Sequence, residues 1–90
     1  MYRLIETKTY TKRAIKFFKK RPNLLNKYEK ILSILESNPY HPSLRLHKLQ
    51  GGLKKFYSIS LDMEFRIIVD FIIIDKKIFL IDIGNHDKVY

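Results

Sequence analysis

Three apolar runs separated by short polar breaks fill the last third of the chain and narrow what it can fold into. They span Lys55–Leu61, Phe65–Ile74 and Ile78–Ile83, and are rich in Ile, Phe and Val. The breaks, Asp62-Met63-Glu64 and Asp75-Lys76-Lys77, are of a length common in hairpin connections. The pattern predicts an antiparallel meander. In the register these loops suggest, Leu61 faces Phe65, Ile59 faces Ile67 and Tyr57 faces Val69. On the next pair Ile73 faces Phe79, Phe71 faces Ile81 and Val69 faces Ile83. All these positions are apolar and form one core face. The opposite face then sets Ser60 across from Arg66, Arg66 across from His86, and Ser58 across from Ile68. It also sets Asp70 against Asp82, an unfavourable like-charge pair that a nearby lysine or a bulge would have to relieve.

The first half has a different period. Tyr2 to Glu6 reads as a short strand, and Thr7 or Thr9 is placed to cap a helix. Tyr10, Ala14, Phe17 and Phe18 recur at helical spacing among lysines. Arg21-Pro22 breaks that helix, and Pro22 suits the first turn of a second. Leu24, Leu25, Tyr28, Ile31, Leu32 and Leu35 form its apolar stripe, which Ser37-Asn38-Pro39 ends. Tyr40 to Gly52 reads as a loop leading into an irregular edge strand, with Gly51-Gly52 as a turn. The prediction is an α+β fold: an N-terminal helical hairpin packed on a small twisted antiparallel sheet, one domain over residues 1–90.

Composition limits the chemistry. The net charge is +9, and residues 1–45 hold eleven Lys/Arg against three Glu. Such a field favours a polyanion, nucleic acid above all, or an acidic protein. There is no cysteine, and His41, His47 and His86 lack the close spacing of a zinc site. No metal and no cofactor are expected. The longest apolar stretch, Ile67 to Ile74, is broken by Asp70 and too short to cross a bilayer. No membrane partner is expected, and a cytoplasmic location is the default.

Taken in order, Leu46-His47-Lys48-Leu49-Gln50-Gly51, Tyr57-Ser58-Ile59, Phe65-Arg66-Ile67-Ile68 and Ile83-Gly84-Asn85-His86-Asp87-Lys88-Val89-Tyr90 resemble the RelE/ParE superfamily of bacterial toxins from type II toxin–antitoxin modules. The nearest branches are the RelE and YafQ types, and the resemblance covers nearly the whole chain. It implies a RelE-like, microbial-ribonuclease-type fold and, in those branches, cleavage of mRNA in the ribosomal A site. It also implies a cognate acidic antitoxin that wraps the toxin in a hetero-oligomer. Apolar residues such as Ile68, Ile72 and Leu80 on the second sheet face would give that partner a groove.

The resemblance also assigns roles. Metal-free RNA cleavage is attack of a ribose 2′-oxygen on the adjacent phosphate, which needs a base, an acid and positive charge. His86 matches a catalytic His of the YafQ branch, and an unperturbed imidazole exchanges its proton near neutrality. Arg66 matches the strand arginine that contacts the scissile phosphate in the RelE branch. Tyr90 matches a C-terminal aromatic that stacks on a base or orients the 2′-hydroxyl. His47 matches a His of the YafQ branch and is a second acid or base. Lys48, Lys54 and Lys55 are candidates for holding RNA backbone, and Glu64 is a possible base. Ser58 and Ser60 depart from the pattern, standing where the RelE branch has two lysines and the YafQ branch an Asp and a His. That departure leaves two alternatives open: a ParE-like toxin that inhibits a protein such as DNA gyrase, and an inactive toxin-like binding module.

Overall fold

Thr7 is where the chain turns from strand to helix. Its hydroxyl oxygen accepts the backbone N–H of Tyr10 at 3.2 Å and donates to the carbonyl of Leu80 at 3.0 Å. One side chain thus caps the first helix and pins it to the sheet. The computed structural model describes residues 1–51, 55–72 and 75–85. Strand β1 (Arg3–Glu6) leads into α1 (Lys8–Lys20), and a single 3-10 turn over Pro22–Leu24 leads into α2 (Leu25–Ser37). Pro22 sits at the start of that turn, where its missing N–H costs nothing. A second 3-10 turn, Pro42–Leu44, precedes β2 (His47–Lys48), and β3 (Tyr57–Ser60), β4 (Phe65–Ile72) and β5 (Lys77–Asn85) follow.

The sheet has the order β1-β5-β4-β3-β2. The α+β class and the helical hairpin are as expected. The sheet, however, is mixed: β1 lies parallel to β5, with Leu4 beside Ile78 and Glu6 beside Leu80. The long helical excursion between β1 and the meander makes that crossover possible. Both helices pack on one face. Tyr10, Ala14, Phe17, Phe18, Ile31 and Leu35 meet Ile59, Leu61, Phe65, Ile67, Val69, Ile78, Leu80 and Ile83 in the main core. Leu25, expected in the α2 stripe, is 41% exposed because the 3-10 turn shifts where the apolar face begins.

The β3–β4 register is the expected one, with Tyr57 across from Val69, Ile59 from Ile67 and Ser60 from Arg66. Asp62 secures the connecting loop: its Oδ1 accepts the backbone N–H groups of Glu64 and Phe65, each at 2.8 Å. The β4–β5 register differs from expectation. Phe71 pairs with Ile78 and Val69 with Leu80; then the ladder shifts, and Ile68 pairs with Asp82, Ile67 with Ile83 and Arg66 with Gly84. Ile81 is the extra residue. The shift lets the core take Ile78, Leu80 and Ile83, which strict alternation would divide between two faces. Asp82 escapes the core and binds Arg13 of α1 at 3.0 Å. Asp70 pairs with Phe79, so the expected Asp70–Asp82 opposition does not arise. The expected Ile73–Phe79 pairing involves a residue outside those described.

Leu80, expected on the second face, therefore lies in the main core. The apolar cluster on that second face consists of Leu49 and Ile68, with Phe56 and Ile81 packed against them. Ile72 pairs with Lys77 along the backbone.

Candidate active site

Strand alternation collects the polar residues of the second face around β4. Arg66 stands between Ser60 on β3 and Gly84 on β5. It is half-buried, and its Nη1 is shielded from solvent. The position across from Arg66 was expected to be His86 and is Gly84, because β4 and β5 pair three residues out of the expected register at Ile72–Lys77 and the bulge recovers one of the three. His86 and Tyr90 lie outside the described residues, as does Lys54. Gly84 sets no side chain against the guanidinium on that flank. A glycine inside a strand is a signal for close approach by another group, and in this chain it marks the neighbour of Arg66.

His47 is on the same face at the sheet edge. It pairs with Ser58, which pairs in turn with Ile68. Strand spacing and rise put the His47 and Arg66 backbones about 12 Å apart, so side chains from the two sides can converge on one phosphate. His47 Nδ1 lies 3.2 Å from the Arg45 carbonyl. A carbonyl only accepts, so Nδ1 carries a proton in this contact. Arg45 itself has left-handed backbone angles, φ 49° and ψ 46°. That kink, after the 3-10 turn capped by His41, orients the entry into β2.

The other expected residues separate. Lys48 alternates to the opposite face, paired with Tyr57, so it does not share a surface with Arg66. Lys55 sets its ammonium 5.0 Å from the centre of the Phe56 ring, which places it beside the apolar cluster of the second face. Glu64 is exposed and lines a cleft on the helix side of the sheet with Arg21 and Phe65. Ser58 is fully buried. Ser60 donates its hydroxyl to the Asp62 carbonyl at 2.9 Å. These serines bind within the fold and are poorly suited to proton transfer.

The face thus combines a guanidinium, an edge imidazole, and an apolar floor that includes one aromatic ring, Phe56. That set can hold a phosphodiester while a base packs on the floor. Among the described residues no group of His, Asp or Glu is arranged to bind a metal ion. Phe56 was missed at the sequence level; it sits in the strand pattern yet belongs to neither the main core nor a polar motif.

No protein-family model matches the chain, and no curated protein matches it in sequence. Solved structures do match. A metal-bound toxin from Helicobacter pylori is 24% identical, with a TM-score of 0.80, covering 100% of this chain and 100% of that one. YafQ from E. coli strain BL21(DE3) is 18% identical, with a TM-score of 0.80, covering 100% of this chain and 99% of that one. A chain of the E. coli DinJ-YafQ toxin-antitoxin complex is 21% identical, with a TM-score of 0.78, covering 99% of this chain and 97% of that one. The two helices and five-stranded mixed sheet are therefore the YafQ/RelE-like toxin fold.

Proposed function

We propose that this protein is the toxin of a type II toxin–antitoxin pair and acts as a ribosome-dependent mRNA endoribonuclease. The observation that carries the reading is Arg66 in mid-sheet, beside Gly84, on a face with His47 at its edge. In this reading Arg66 holds the scissile phosphate and offsets the charge that builds up on it during attack. One imidazole takes the proton from the 2′-hydroxyl as that oxygen attacks phosphorus. The other gives a proton to the departing 5′-oxygen. The products are a 2′,3′-cyclic phosphate and a 5′-hydroxyl. In this reading His47 takes the first role and His86 the second. Tyr90 stacks on or orients the nucleotide.

The likeness to the DinJ-YafQ complex supports an antitoxin partner. The +9 charge favours an acidic one. Growth arrest on expression, relieved by Arg66→Ala and by His86→Ala in proteins that still fold, tests the proposal. Full toxicity of both variants would contradict it.

A second reading rests on Ser58 and Ser60, which are engaged within the fold where related branches carry charged or basic side chains. It makes the protein a ParE-like inhibitor of a protein target. Arrested replication with intact mRNA would favour it.

A further inference from the structure

The helix side of the sheet carries a second cationic feature outside the Arg66 face. Two adjoining clefts, about 340 and 410 Å³, share Arg13, Phe17, Arg21 and Ile83 and form one trough between the C-terminal half of α1 and the end of β5. Lys16 and Lys20 line one end, and Gly84 and Asn85 the other. Glu64 is the only acid among its described lining residues.

Arg21 is held in a defined way. Its guanidinium carbon lies 4.5 Å from the Phe17 ring centre and 4.6 Å from that of Phe65. Both rings belong to the main core. The two rings stand at 85° to each other with centres 4.9 Å apart, so they flank the guanidinium from one side; one of its N–H groups donates to the Phe17 carbonyl at 3.4 Å, and others remain to meet an anion. Gly84 belongs to the trough and is also the backbone neighbour of Arg66, about 5 Å away across the ladder. The trough on the helix side and Arg66 on the opposite face thus share Gly84 as a common neighbour.

We propose that this trough holds the phosphate backbone of the same single-stranded RNA, a few nucleotides from the phosphate at Arg66. The proposal rests on the nuclease reading for its ligand. An acidic protein would suit the charge as well, but would give no role to the neighbour that the trough shares with Arg66.

The test is fluorescence anisotropy of a 2′-O-methyl oligoribonucleotide, which binds without being cut, against the full-length protein over a range of salt. Lys16 and Lys20 are exposed and their loss leaves the core intact. Lys16→Gln with Lys20→Gln should weaken binding about 25-fold at 0.1 M salt and reduce the log–log salt slope by about 1.4. Lys27→Gln with Lys30→Gln, an equal charge change on α2, should leave the slope nearly unchanged. Equal effects from the two pairs, an unchanged slope in the first, or no binding by the wild type would overturn the proposal. Messages cut normally by a protein with an unchanged slope would reject the trough and spare the nuclease reading. A reduced slope in a protein that cuts no message would do the reverse. Loss of affinity for an acidic antitoxin, with RNA binding intact, would assign the trough to that partner and overturn the RNA proposal.

Discussion

The hydroxyls of Tyr10 and Tyr28 lie 2.6 Å apart and tie α1 to α2. Tyr10 is fully buried, whereas Tyr28 is half-buried. The two ends of the bond therefore differ in cost. Tyr28→Phe removes the partner of a buried hydroxyl and should destabilise by about 1–3 kcal/mol. Tyr10→Phe leaves behind a hydroxyl that can reach water and should cost about 1 kcal/mol or less. The double variant should lose less than the sum of the two. Urea unfolding of all four proteins measures the coupling, and strict additivity would show that the bond contributes nothing.

The same pair makes stability depend on alkaline pH. Burial, and then the neighbouring Tyr28, push the Tyr10 hydroxyl well above its ordinary value. Burial also raises Tyr28. The folded protein therefore keeps protons that the unfolded chain releases above pH about 10. The stabilisation is complete below that pH and falls as pH rises, by about 1.4 kcal/mol per unit for each retained proton. Thermal unfolding between pH 8 and 11 should show this decline, and Tyr10→Phe should make it shallower. Parallel curves for the two proteins would contradict the account.

What the sequence revealed follows from how one-sided each element is. Tyr10, Ala14, Phe17 and Phe18 share α1 with six Lys or Arg residues, two threonines and only one other apolar residue, Ile15, so the buried face of α1 could be read directly. Strand β3 alternates Tyr57 and Ile59 with Ser58 and Ser60, which allows one register against β4. Strand β5 offers no such contrast. Ile78, Phe79, Leu80 and Ile81 are apolar in succession, so periodicity cannot choose a face and cannot reveal that Ile81 is the extra residue. That ambiguity moved the residue across from Arg66 from Gly84 to His86. Arg66 could be set on the second face because the β3–β4 register was legible. Lys48 lies on the opposite face from His47, because one residue along a strand reverses its face.

Thr7 bonds to two elements at once, and its substitution separates two effects. Thr7→Ala loses both the cap on Tyr10 and the bond to Leu80, and should cost about 1–2 kcal/mol. Thr7→Ser keeps the hydroxyl and should recover most of that. Chemical denaturation measures both, and equal losses would mean that the methyl group, not the hydroxyl, matters.

His47 separates proton transfer from binding. If its Nε2 takes the 2′-hydroxyl proton, His47→Gln should lower the cleavage rate about 10²–10⁴-fold. RNA affinity should change little, since Gln keeps a hydrogen-bonding group of similar reach at that position. Single-turnover cleavage with a parallel binding curve measures both quantities. A variant that binds weakly yet cuts at the normal rate when saturated would make His47 a binding residue.

The central claim is that the Arg66 face cuts messenger RNA on the ribosome. The measurement closest to it is primer extension on a reporter message after brief expression of the protein. The message is compared with a copy lacking its start codon, and wild type is compared with Arg66→Ala. The account predicts cuts at codon positions in the translated message alone, and none with Arg66→Ala. Intact translated message in cells arrested by the wild-type protein would contradict it and point to a protein target instead.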